Sequence, residues 1–201
     1  MSCTGPRAEP AVCLVGLRGA GKSSAGALLA RALALPFADL DQALERRAGS
    51  VAALLTRDEP AFRALEAECL AETLRQLKGS GQGGVLATGG GVVLSPASRQ
   101  LLAASWTVYL DAPPEVLAAR VGDDPSLRPA LRLGGPLAEA RALRVERDPH
   151  YRSVARTVVD ASRPLEDVVA QVLAALASGR EEDRPFGAIL PPVQARAWEP
   201  G

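Results

Sequence analysis

Histidine is nearly absent from this 201-residue chain, where His150 is the only one. Cysteine is scarce too: Cys3, Cys13 and Cys69 are odd in number and far apart. With no CxxC and no Cys/His pair, a zinc site or a catalytic triad has little to work with. The same scarcity argues against a disulfide framework and fits a reducing cytosol. Net charge is also missing, with 23 basic residues against 23 acidic ones. A broad electrostatic footprint for nucleic acid is therefore not expected. No 18-residue apolar run free of charge occurs, so no membrane span is expected. The opening MSCTGPRAEP lacks the apolar h-region of a signal peptide. Lysine is rarest among the charged types, since Lys22 and Lys78 stand against 21 arginines. A codon bias toward arginine is the plain explanation. In such a chain, a lysine inside a motif is less often there by chance.

What the chain does have is apolar content, at 47%, and a regular alternation of elements. Residues 11–15 (AVCLV) form a short apolar run ending at Gly16, as a buried parallel strand would. Lys22–Leu35 reads as a helix stopped by Pro36, and PFADLD as a second strand with acids at its end. Residues 41–48 and 59–77 carry helical periodicity, with Gly49 and Gly79 as stops. GVLAT (84–88), WTVYLD (106–111) and TVVDAS (157–162) are three further strands. A helix after Pro113-Pro114 ends near Gly122, and an apolar helix covers 165–177. The alternation predicts an α/β fold: a three-layer domain with a five-stranded parallel sheet and helices on both faces. Ligands in such sheets sit at the C-terminal ends of the strands.

The predicted organisation is an N-terminal extension (1–10), one domain (11–178) and a C-terminal tail (179–201). Within the domain, residues of about 122–136 hold glycine, proline and arginine without periodicity, as a mobile lid would.

Gly16-Leu17-Arg18-Gly19-Ala20-Gly21-Lys22-Ser23 matches G-x4-GK[ST] in full, between a strand and a helix as the motif requires. Its glycines let backbone N–H groups turn inward onto phosphate oxygens, and the helix N-terminus adds positive potential. ATP contacts are assigned to Gly19, Ala20, Gly21, Lys22, Ser23 and Ser24. Lys22 would reach the β- and γ-phosphates, and the Ser23 hydroxyl would bind Mg²⁺. The loop alone does not separate kinases from GTPases, ATPases or inactive nucleotide sensors.

Asp39 and Asp41 close the second strand at i, i+2 and project from one side if extended geometry persists. One carboxylate can support Mg²⁺ and the other can take a proton from an attacking hydroxyl, although Asp41 is also placed to cap a helix. Arg63 and Glu66 lie one helical turn apart. They are either an ordinary surface ion pair or a carboxylate orienting a guanidinium for an anionic substrate. Gly89-Gly90-Gly91 ends the third strand, where glycines mark a close approach to the backbone.

GLRGAGKSS, Asp39-x-Asp41, Phe62-Arg63-x-x-Glu66, ATGGGVV, Arg128-Pro129 and Arg147-x-x-x-Tyr151 resemble, in order and approximate spacing over residues 11–177, the shikimate kinase family. The resemblance implies ATP-dependent phosphorylation of the shikimate 3-hydroxyl, in aromatic amino acid (chorismate) biosynthesis, by a cytoplasmic monomer. It implies that Asp39 supports Mg²⁺ from a distance and that Asp41 bonds the shikimate hydroxyls and acts as base. Arg63 and Arg147 would clamp the shikimate carboxylate, with Glu66 orienting Arg63 and the amides of Gly89, Gly90 and Gly91 lining the pocket. Arg128 would swing from the lid onto the phosphates, while Arg120 and Pro164 would border the adenine.

Two departures stand out. The lid reads Arg128-Pro129-Ala130-Leu131 where the family has Arg-Pro-Leu-Leu, and Asp58-Glu59-Pro60 replaces the Gly-Glu before Phe62-Arg63. Rival readings are a gluconate kinase-like enzyme, a nucleoside monophosphate kinase, and a nucleotide-binding regulatory protein that has lost catalysis. The first shares the loop and the sheet, but Arg63/Glu66, the triple glycine and Arg147-x-x-x-Tyr151 favour shikimate. The second lacks a nucleobase signature. The third is opposed by intact Lys22, Ser23, Asp39 and Asp41.

Overall fold

A computed structural model describes residues 11–49, 57–79, 81–122 and 135–183. Five parallel strands form one sheet in the order β2-β3-β1-β4-β5: β1 (Val12–Val15), β2 (Phe37–Asp39), β3 (Val85–Ala87), β4 (Trp106–Asp111) and β5 (Thr157–Asp160). All four residues of β1 are buried, so both its faces are covered and the sequence shows an apolar run rather than alternation. This is the predicted fold class.

Helix α1 (Lys22–Leu33) leaves β1 through the glycine-rich loop and buries Ala25, Gly26, Leu29, Ala30 and Leu33 along one stripe. It ends at Ala34 in a left-handed conformation, with Pro36 barring any continuation. Helix α2 (Leu40–Ala48) begins directly after β2, whereas the sequence suggested a strand extending to Asp41. The cause is local. The Asp39 side chain accepts the Asp41 and Gln42 backbone N–H groups, satisfying the first turn of the helix.

Helix α3 (Glu59–Gly79) presents Phe62, Glu66, Cys69, Leu70, Thr73, Leu74 and Leu77 to the core. Helices α4 (Pro96–Ala103), α5 (Pro114–Gly122), α6 (Gly135–Val154) and α7 (Leu165–Asp183) complete the described chain. Two of them, α4 and α6, have no counterpart among the sequence expectations. The buried stripe of α6 is Glu139, Leu143, Arg147, Tyr151 and Val154. Its spacing is helical, but two of its five members are charged and Pro149 lies inside it, so apolar periodicity does not reveal it. Helix α7 runs to Asp183, past the expected end at 177.

Side-chain alternation along β4 fixes the layers. Trp106 lies against Gly179 of α7, while Tyr109, three residues on, stacks on Tyr151 of α6. Odd separation along a strand means opposite faces, so α7 covers one face and α6 the other. Helix α1 packs beside α7, and α4 beside α3 and α6. No helix among the described residues is long and apolar enough to cross a membrane. The site is positioned by one feature of this topology: β1 and β3 are neighbours, so the loops leaving their C-terminal ends lie side by side.

Candidate active site

The loop after β1 carries the P-loop residues, and Gly21 enters α1 at φ 79°, a left-handed conformation. Lys22 Nζ donates to the Leu17 carbonyl at 2.9 Å across the loop. Desolvation lowers the Lys22 ammonium to about 8, against the pull of the Asp41 and Asp39 carboxylates. Ser23 Oγ donates to Asp39 Oδ2 at 2.6 Å, while Asp39 Oδ1 accepts the Asp41 and Gln42 N–H groups at 3.0 and 3.2 Å. Asp39 thus caps α2 with one oxygen and reaches the P-loop with the other.

The two acids do not project from one side of a strand, as the sequence suggested. The helix starting at Leu40 turns Asp41 away from Asp39, and its carboxylate faces Gly89 instead. The cap alternative raised for Asp41 falls to Asp39. A Cβ at Gly89 would stand 2.7 Å from Asp41 Oδ1 and 3.4 Å from Glu66 Oε1. One at Gly91 would stand 2.5 Å from Arg63 Nη1. A side chain at either position would displace the Asp41 carboxylate or the Arg63 guanidinium from where it now stands.

Arg63 Nη1 donates to Glu66 Oε2 at 2.7 Å, and Nη2 to Glu59 Oε1 at 3.3 Å. Glu66 is 1% exposed, so this is not the ordinary surface ion pair. Burial raises the Glu66 carboxyl, opposed by Arg63. Arg63 Nε is buried without a hydrogen-bond partner among the described residues, a donor left over for an incoming acceptor. Across the pocket, Arg147 on α6 is 9% exposed and donates from Nη1 to the Gly90 carbonyl at 3.0 Å. Tyr151, one turn later, donates its hydroxyl to the same carbonyl. Lys22 feels Asp41, Asp39 and Arg147, and Glu66 feels Arg63, Asp41 and Arg147. These six side chains share one region.

Arg120, at the end of α5, donates to the Ala161 carbonyl at 2.7 Å and to those of Gly19 and Ser162 at 3.4 Å each. It joins the P-loop to the turn that leads into exposed Pro164. Arg128 and most of the 122–136 stretch lie outside the described residues. Glu59 and Tyr109 escaped the sequence reading. Glu59 stands four residues before Arg63 at helical spacing, a usable signal; Tyr109 carries none beyond lying on a strand. Ser23 and Asp39 offer hydroxyl and carboxylate oxygens, the donor chemistry of a hard cation such as Mg²⁺. No group of three or more His, Cys, Asp or Glu side chains able to hold a metal ion occurs among the described residues. A separate groove of about 450 Å³, lined by Asp111, Pro113, Arg144, Val158 and Asp160, contains no predicted site residue.

Comparison with known proteins gives a consistent answer. A family profile described as shikimate kinase matches residues 18–177. The shikimate kinase of Paracidovorax citrulli is 45% identical over 153 residues, covering 75% of this chain and 81% of that protein. That of Oleidesulfovibrio alaskensis is 42% identical over 172 residues, covering 83% and 97%. Among solved structures, the shikimate kinase of Acinetobacter baumannii in complex with shikimate superposes with a TM-score of 0.76 at 32% identity, over 87% of this chain and 96% of that one. A gluconokinase from Sinorhizobium meliloti reaches a TM-score of 0.60 at 22% identity, over 88% and 96%, and so shares the fold alone. On residues matched and length covered alike, this chain belongs to the shikimate kinase family.

Proposed function

We propose that the protein transfers the γ-phosphoryl group of ATP to the 3-hydroxyl of shikimate, giving shikimate 3-phosphate and ADP. It would do so as a cytosolic monomer, in the biosynthesis of aromatic amino acids. The observation that carries this reading is the cluster of charged side chains around the turn Gly89–Gly91. Two arginines, Arg63 and Arg147, border it, Glu66 holds one of them, and Asp41 faces it from the P-loop side.

A compact carboxylate acceptor suits these groups. Its carboxylate takes N–H donors from Arg63 and Arg147, among them the unpartnered Arg63 Nε. Its hydroxyls reach Asp41, beside the turn of Gly89–Gly91. Asp41 accepts the hydroxyl proton as the oxygen bonds to the γ-phosphorus and the bond to the ADP oxygen breaks. Lys22 and the inward-turned N–H groups of Gly19–Ser24 balance charge at the β- and γ-phosphates. Ser23 and Asp39 would hold Mg²⁺, which when bound neutralises phosphate charge. Arg128 of the lid would close over the phosphates and help exclude water, and Arg120 and Pro164 would flank the adenine.

The test is a coupled ADP-release assay with Mg·ATP, comparing shikimate, gluconate and no acceptor. Turnover with shikimate alone is expected. Turnover with gluconate instead would overturn the acceptor, and ATP binding without acceptor-dependent turnover would overturn catalysis.

A further inference from the structure

The Gly90 carbonyl accepts two donors from α6 at once. Arg147 Nη1 reaches it at 3.0 Å and the Tyr151 hydroxyl reaches it from one helical turn further on. On its other side, Gly90 abuts the P-loop. A Cβ there would stand 3.4 Å from Arg18 N and 3.6 Å from the Gly16 carbonyl oxygen. Gly90 is therefore gripped between α6 and the nucleotide loop. Its two neighbours lie against the Asp41 carboxylate and the Arg63 guanidinium.

Tyr151 is well made for holding a position. It is fully buried, and its ring stacks on Tyr109 at 4.9 Å between centroids with planes 25° apart. The Tyr109 hydroxyl lies 3.1 Å from Asp148 Oδ1 and 3.2 Å from Asp111 Oδ1. Arg152 spans the two acids, at 2.7 Å from Asp148 and 3.2 Å from Asp111, with its guanidinium over the Tyr109 ring. The stack is thus fixed from behind, and the Tyr151 hydroxyl has one direction to point. Arg147, by contrast, carries a charge that the proposed acceptor needs. If Arg147 alone held the Gly90 carbonyl, binding the acceptor carboxylate and anchoring the turn would compete for one guanidinium.

We infer that Tyr151 is a positioning residue for the transfer: it anchors the Gly90 carbonyl so that the acceptor turn keeps its place against the P-loop while Arg147 engages the substrate. The inference rests on the functional reading above. It assigns Tyr151 no contact with substrate. Near-attack geometry is steep enough that small displacements of this turn reach the rate.

The experiment compares the unaltered enzyme with Tyr151→Phe, Tyr109→Phe and Arg147→Lys, reading thermal melting and steady-state kinetics with Mg·ATP and shikimate. Each phenylalanine variant loses one phenol oxygen from the same stack, but only Tyr151 touches Gly90. Tyr151→Phe is expected to raise the shikimate KM and lower kcat, each by about threefold, so that kcat/KM falls about 10-fold, the scale of one net hydrogen bond, with the ATP KM unchanged. Tyr109→Phe is expected to lower melting comparably and leave both constants within about twofold. Arg147→Lys keeps the charge but releases the carbonyl, so it should raise the shikimate KM while kcat stays within about threefold. A Tyr151→Phe effect on melting alone, or equal kinetic losses in Tyr109→Phe, would overturn the inference. So would a fall in kcat for Arg147→Lys as large as its rise in KM, an outcome readable even if Tyr151→Phe does not fold. No turnover of shikimate by the unaltered enzyme would sink the functional reading first, and is seen before any variant is made.

Discussion

On the proposed reading, the nucleotide side and the acceptor side of this site are built by different means. The first is eight consecutive residues, Gly16–Ser23, whose working parts are largely backbone N–H groups and one lysine. The second is gathered from α2, α3, the turn after β3 and α6, and its working parts are side chains: Asp41, Arg63, Glu66, Arg147 and Tyr151. A backbone cradle tolerates changes around it because its donors belong to every residue type. A side-chain pocket depends on each member's partners being in place. Damage should therefore fall on acceptor use rather than on ATP binding, wherever in the chain it is introduced.

The strongest break of that comparison is Asp41→Asn, which is expected to cut kcat by about 100-fold or more, as loss of a general base does, with ATP affinity nearly unchanged. Near-normal turnover would leave Asp41 with no role beyond the first turn of α2. Arg63→Ala is expected to raise the shikimate KM by about 100-fold with the ATP KM within about threefold, since it removes a charged clamp and leaves Glu66 buried without its partner. Equal loss of both affinities, measured in the same titrations, would remove Arg63 from the acceptor side.

Gly179→Ala sharpens the comparison from outside the site. A Cβ there collides with the Trp106 ring. A loss of about 1–3 kcal/mol in denaturant unfolding is expected, with KM for both substrates unchanged in the folded fraction. The smallest effect concerns pH and the nucleotide side alone. Lys22 stands lowered to about 8, so its charge is present below that pH and lost as pH rises through it. The ATP KM should therefore climb several-fold, within about a factor of ten, between pH 7.5 and 9.5. Over the same range ATP binding should take up protons, measurable calorimetrically in buffers of different ionisation enthalpy. A flat profile would mean that Lys22 keeps its proton throughout.

The contrast between contiguous and dispersed construction also explains what could be read in advance. The P-loop was legible because its chemistry and its geometry are one local pattern. Arg63 with Glu66 was visible as a pair, but its meaning lay in burial, which spacing does not disclose. The strand-to-helix change at Asp39 misdirected the reading of Asp41, because a single side-chain cap decided where β2 ended. Helix α6 was missed for a related reason: Glu139 and Arg147 interrupt the apolar stripe that would have announced it. Tyr109 meets Asp148 and Tyr151 across 39 and 42 residues of sequence. Such partners exist only once the sheet has brought them together.

Adjacent parallel strands carry one further implication. The loops of donor and acceptor leave β1 and β3, paired in register from Val12 with Val85 to Leu14 with Ala87. Thr88 adds two bonds to the Leu14 carbonyl just before the triple glycine. The pairing of β1 with β3 thus fixes where the two loops start, roughly 4.8 Å apart. The sheet works as a ruler for the bases of the loops, and the side chains beyond them set the rest of the distance.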